Sequence, residues 1–374
     1  MWKKYRVLIF IIITFAALVY FSPGPVTAPA EKLDIPSGLS IDLIEDNYGQ
    51  KQVMISISTY TFNDKNRIFS MNVSGAGKTI PATRSARQFQ ANHKFIAALQ
   101  KVSIFSEDMS REGIKNTIDI LFSNQFMNDM GWMVVCKGKA LDVLKQEVDY
   151  YPSASDYLEG MIENSKDYKF FSDNYKIMDA YVRIDAEGRN LVLPYVESVD
   201  NKLQISGTAL FNKDIMVKKL GLPESKIMNM MREKKAKGIL EIRKSLSEYA
   251  SIYGSSKSKA SCQKVDSKYN FIINVDFSGD VISNTLFKDL ENKPEIIKKL
   301  ESELEQQTQR ECQEFIAKMQ NEYKLDCLNL GWVASAKYGR NTGVDWNEIV
   351  SKSNIKVNVR VKVKGIGRGI YNGI

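Results

Sequence analysis

Residues 72–82 read NVSGAGKTIPA, and Gly77-Lys78-Thr79 is the tail of the pattern by which glycine-rich loops wrap nucleotide phosphates. That chemistry needs G-x-x-x-x-G-K-[ST]: two glycines bracket a turn of backbone N–H groups, and a helix opens at the lysine. Asn72 stands where the first glycine belongs. Asparagine tolerates the positive φ of such a turn, so this departure weakens the match without ending it. Pro81 is the stronger objection. Proline fits the first helical position, where no N–H is needed, so Thr79 or Ile80 caps the helix and Lys78 falls before it. The stretch reads as a strand-to-helix connection, and no cofactor is expected.

Other chemistries lack parts. His93 is the single histidine, so no second imidazole exists for a zinc site or a nucleophile pair. The four cysteines, Cys136, Cys262, Cys312 and Cys327, allow three pairings if oxidised, and none makes a C-x-x-C spacing. They are read as free, partly buried thiols. Asp and Glu are plentiful but scattered over helical faces, which argues against the paired carboxylates of a cell-wall hydrolase. A solute-binding protein would need a cleft that the sequence does not display.

The elements that would position any site begin with MWKKYRVLIFIIITFAALVYF. Lys3, Lys4 and Arg6 precede an apolar run from Val7 to Phe21, about fifteen residues, which reads as a signal-peptide core or a short anchor. The basic flank places everything after Phe21 across a membrane. Ala28-Pro29-Ala30 offers a processing site at Ala30. No cysteine precedes Cys136, so there is no lipobox.

The net charge of +8 is uneven. Between Asn212 and Lys244 stand ten Lys/Arg against four Asp/Glu. A helix from Pro223 to about Ile239 would carry Lys226, Arg232, Lys234, Lys235 and Lys237, either as a solvated face or as a contact with an anionic membrane surface or a partner. Nucleic acid is not an expected partner outside the cytoplasm.

Strands and helices then alternate, giving an α+β fold in three units. Residues 1–30 form the signal peptide or anchor with its tether, 31–200 an N-terminal α/β domain, 201–253 a small middle domain and 258–374 a C-terminal α+β domain. QKQVMISISTY alternates as a half-buried strand, a helix is expected from Pro81 to about Ala98, and WMVVC reads as a buried strand. KLQISGTALFNKDIMVKKLG predicts two strands and a turn, and Gly, Ser and Lys at 254–261 a linker. Pro294 to Tyr323 predicts the longest helix, with Leu300, Leu304, Cys312, Phe315 and Met319 on its inner stripe. Finally, Ile355, Val357, Val359, Val361 and Val363 alternate with cations and Asn358, predicting a strand with one face in solvent whose lysines protect an edge, in preference to binding a ligand.

Taken in order, GLSID, GKTIPA, SREGIKNTIDILFSN, VVCKGKALDVL, YLEGMIENS, GTALFNKD, FIAKMQNEYKLDCLNLG, Trp346 and VRVKVKGIGRG resemble the C-subunit family of spore nutrient-germinant receptors, the Ger(x)C proteins. The resemblance spans about Leu39 to Gly369. It implies a three-domain, non-enzymatic protein on the outer face of the spore inner membrane, beside two membrane-embedded subunits, A and B, in nutrient sensing. A nutrient ligand is compatible with it, and no residue is assigned to one. In that family Gly77, Lys78 and Thr79 match a structural segment. Members are usually lipoproteins, from which this chain departs, and the resemblance carries no role to His93.

Overall fold

The apolar runs of the first half pair into one large sheet, and the long alternating runs of the second half into a smaller one. The structure is a computed structural model that describes residues 2–21, 33–62, 68–90, 94–95, 99–124, 127–266 and 268–367. Ala30 and His93 lie outside the described residues. The first helix, α1 (Trp2–Phe21), is followed by β1 (Leu33–Asp34), β2 (Pro36–Glu45), β3 (Lys51–Phe62), β4 (Ile68–Gly77), α2 (Ile80–Gln88), β5 (Lys94–Phe95) and β6 (Val102–Ser106). Next come α3 (Glu107–Glu112), α4 (Lys115–Phe122), β7 (Trp132–Cys136), α5 (Ala140–Lys145), α6 (Ala154–Tyr168), α7 (Ile177–Ile184), β8 (Val192–Val199), β9 (Lys202–Asn212) and β10 (Ile215–Gly221). The second half holds α8 (Leu222–Arg232), β11 (Lys235–Arg243), β12 (Tyr249–Val265), β13 (Lys268–Asn284), α9 (Pro294–Lys318), a π turn (Met319–Tyr323), α10 (Leu330–Tyr338), α11 (Trp346–Ser351) and β14 (Asn354–Ile366).

The large sheet runs β10-β9-β8-β7-β6-β2-β3-β4. Its middle strands β8, β7, β6 and β2 are parallel neighbours, and antiparallel pairs extend it at both ends. Every residue of β6 and β7 is buried, which is why VSIFS and WMVVC show no alternation: helices cover both faces of a parallel centre. The helical spacing of residues 107–122 is real, but Gly113 at φ +129° breaks it into α3 and α4. The helix expected to reach Ala98 stops at Gln88.

The small sheet runs β11-β12-β13-β14, antiparallel except for the last, parallel pair. Phe271, Ile273, Val275 and Phe277 of β13 and Val357, Val359 and Val361 of β14 form its buried face. Helix α9 crosses from β13 to β14, burying Leu300, Leu304, Cys312 and Phe315 as the stripe required. Its 25 residues give about 37 Å, matched to strands of 17 and 13 residues rather than excessive for them. Residues 254–261 are no linker. They lie inside β12, because β11 and β13 supply its backbone partners on both sides. The stretch 201–253 is shared: β9 and β10 extend the large sheet, whereas β11 and the start of β12 belong to the small one.

The two edges of the small sheet are met differently, β11 at one point and β14 along its length. On one side Phe170 N–H donates to Lys237 O at 2.8 Å. On the other, Glu301, Glu305 and Gln309 of α9 accept from the N–H groups of Val363, Val361 and Val359 at 2.8, 2.9 and 3.4 Å. A helix advances about 6 Å in four residues and a strand about 6.6 Å in two, so the acceptors and donors keep step. The edge of β14 is thus closed by carboxylates and an amide of α9, a role that had been expected of its lysines.

Candidate functional site

Thr79 caps α2, its Oγ1 accepting from Ala82 N–H at 3.3 Å, with Pro81 in the first turn. Lys78 is exposed in the connection ahead of the helix. The glycines nearby serve packing. A Cβ on Gly75 would come within 2.4 Å of Thr83 O, and one on Gly77 within 2.7 Å of the Ala82 side chain, so the strand admits α2 only because both are bare. Arg87 of α2 is buried and reaches back to Ile55 O (3.1 Å) and Thr83 Oγ1 (3.0 Å). Burial, and secondarily Arg84, lowers its pKa to about 10.

The five cations expected on one basic helix part company. Helix α8 ends at Arg232, and Lys235 and Lys237 lie on β11 instead. The cause is pairing: alternate residues Ala236, Gly238, Leu240 and Ile242 face the core, and β12 offers a full ladder. Lys226 is half-buried with its Nζ 5.7 Å from the centre of the Phe170 ring, and desolvation lowers its pKa. Arg232 is buried and belongs to the interior. Lys237 pairs with Asp167 at 2.9 Å, leaving Lys234 and Lys235 exposed.

Arg232 leads to the most elaborate polar constellation among the described residues, where the two sheets meet. Its guanidinium donates to Cys327 O (2.7 Å) and Asn190 O (2.9 Å), with Glu233 Oε1 3.5 Å from Nε. Asn190 Nδ2 donates to Asp326 O (3.0 Å) and Asn347 Oδ1 (2.6 Å), and Asp326 N–H donates to that same Asn347 oxygen (3.0 Å). The Asp326 carboxylate accepts from Leu328 N–H (3.1 Å) and Gly331 N–H (2.7 Å). Burial raises its pKa against the pull of those N–H groups. Gly188 (φ +70°) lies against Gly331, where an added Cβ would stand 2.3 Å from a backbone carbon. Glu187 then holds the following loop, accepting from Trp346 Nε1 (3.0 Å), Thr342 Oγ1 (2.5 Å) and Asn341 N–H. Those bonds, Thr342 first and Trp346 next, lower its pKa to about 2.

Beside this network opens a polar cleft of about 650 Å³, lined by residues 184–190, 212–215 and 343–347. At its margin the Trp332 ring carries Arg189 at 4.0 Å and Arg340 at 4.3 Å. The arrangement suits hydrogen bonding and clamping. Its one thiol, Cys327, is fully buried with a raised pKa, which leaves no thiolate for nucleophilic work. Cys312 is likewise pushed up to about 12 by burial. All four cysteines are free and buried, and no group of three or more His, Cys, Asp or Glu among the described residues could hold a metal ion. Sequence reasoning singled out Trp346 but neither Glu187, Asn190, Asp326 nor Asn347, whose partners stand up to 159 residues away.

The fold and its polar junction define a two-sheet α+β protein, and sequence comparison names the family. Residues 27–198 match the family described as spore germination protein N-terminal domain, and residues 206–367 the family described as spore germination B3/GerAC like, C-terminal. The chain belongs to the Ger(x)C family of spore germination proteins. A curated relative is spore germination protein GerQC of Bacillus cereus, 21% identical over 274 residues, covering 71% of this chain and 74% of that protein. The crystal structure of the GerBC protein shares the fold, with a TM-score of 0.57 at 15% identity over 87% of this chain and 97% of that one.

Proposed function

We propose that this chain is a non-enzymatic, membrane-associated subunit of a spore nutrient-germinant receptor, which works through contacts with integral membrane A and B subunits on the outer face of the spore inner membrane. The observation that carries the reading is the match of both halves to spore germination families. The buried Arg232–Asn190–Asp326 network supports it, because a body held rigid across its two sheets can pass a force or a contact from one partner to another. The raised thiols of Cys136, Cys312 and Cys327 favour a role without covalent chemistry. Helix α1 is 20 residues long, but its apolar part spans only about 22 Å, and no helix among the described residues is long and apolar enough to cross a membrane. Germination of spores lacking the gene tests the reading. A lost response to at least one nutrient, restored by the intact gene, is expected; normal germination in every nutrient mixture of a strain without a paralogue would overturn it.

A further inference from the structure

The outer face of the small sheet carries charge that the interior does not explain. Register places Lys257 and Lys259 of β12 beside Asp276 and Asn274 of β13, and these beside Arg360 and Asn358 of β14. Lys356, Lys362 and Lys364 continue the β14 row, and all six cations are exposed. Asp276, and Asp280 at the Lys364 end, are the exposed carboxylates of β13 between the two cation rows, and none of the six cations forms an ion pair among the described residues. Neighbouring strands lie about 4.8 Å apart and residues advance about 3.3 Å, so the block covers roughly 10 by 26 Å. That width is comparable with the screening length of about 8–10 Å at physiological salt, so the charges add. Edge protection does not account for them, because Glu301, Glu305 and Gln309 already occupy the β14 edge and Lys257 and Lys259 stand on the interior strand β12.

We propose that this face lies against an anionic lipid surface. The inference rests on the preceding reading for the presence of a membrane and names the surface that meets it. Five of the six cations are lysines, flexible point charges that suit a fluid array of phosphates. Protein interfaces are instead depleted in lysine and built round aromatic or arginine anchors. Between the cations stand Asn274, Ser278 and Asn358, short side chains that let lysine ammonium groups reach a flat surface together.

The test reconstitutes the full chain into vesicles of phosphatidylcholine alone or with one third phosphatidylglycerol, and measures the reactivity of each lysine toward a water-soluble acylating reagent. Helix α1 contributes in both vesicles, so the difference between them reports charge alone. Anionic vesicles should slow acylation of Lys257, Lys259, Lys356, Lys362 and Lys364 at least threefold, high salt should restore it, and Lys139 and Lys145 of the large-sheet lobe should be unaffected. In the variant Lys257→Gln/Lys259→Gln/Lys362→Gln, Lys356 and Lys364 should lose their protection. Equal reactivity in both vesicles would overturn the proposal, as would protection that arises only in native spore membranes, which would assign the face to an acidic protein. A chain still needed for germination but unprotected by lipid would remove this inference and leave the receptor reading; protection without a germination phenotype would do the reverse.

Discussion

Arg232 and Lys257 stand for two regions that use positive charge in opposite ways. At the junction of the sheets one buried guanidinium has backbone acceptors at 2.7 and 2.9 Å and a carboxylate beside it. On the open face six exposed cations have no ionic partner among the described residues. Desolvating a guanidinium is costly, so the junction holds only with its acceptors in place; a solvated lysine costs the fold little and remains available to something outside. One region keeps the molecule in one piece, and the other faces a partner.

If that contrast holds, Arg232→Ala should be the most damaging single change, costing about 3–5 kcal/mol because it strands two buried carbonyls and Glu233. A fall in the urea midpoint checks it; Arg232→Lys should recover only part, lacking the fork that serves two acceptors. Gly188→Ala should cost about 2–4 kcal/mol, since both the positive φ and the approach to Gly331 resist a side chain. Glu305→Ala should cost about 1 kcal/mol and free an edge N–H of β14, so sedimentation should reveal self-association that the parent chain lacks.

Acid should act on the junction and spare the face. The Glu187 carboxyl, held at about 2 against an ordinary 4.5, supports the loop at 341–346 at any pH above 4.5. That support is lost as pH falls from there toward 2. Tryptophan emission should therefore change across that window, and Glu187→Gln should flatten the change. The smallest expected effect sharpens the contrast most: Lys257→Gln/Lys259→Gln/Lys362→Gln should move the urea midpoint by no more than the equivalent of about 0.5 kcal/mol.

Apolar patterning made the covered elements legible. WMVVC, the β9–β10 hairpin, the α9 stripe and the alternation of β14 are each visible in a local window, because burial against one layer imposes a period and burial on both faces an unbroken apolar run. It was misleading at 235–243 and 254–261, where lysine, serine and glycine alternate with few large apolar residues. Their strand state depends on the neighbouring strands, β12 for the first and β11 and β13 for the second, rather than on their own propensity. The junction was not legible at all. Asn190 meets Asp326 across 136 positions and Asn347 across 157, and nothing in a linear window reports such a meeting. Arg232 shows the same limit, since its type and spacing matched the exposed cations around it and only the packing of α8 buried it.

The receptor role is tested most directly by solubilising membranes of dormant spores in mild detergent and isolating the chain through a C-terminal tag. The account predicts that integral membrane germinant-receptor subunits co-purify with it in near-equal amounts. Recovery of the chain alone, at normal abundance and from spores that germinate normally, would contradict it.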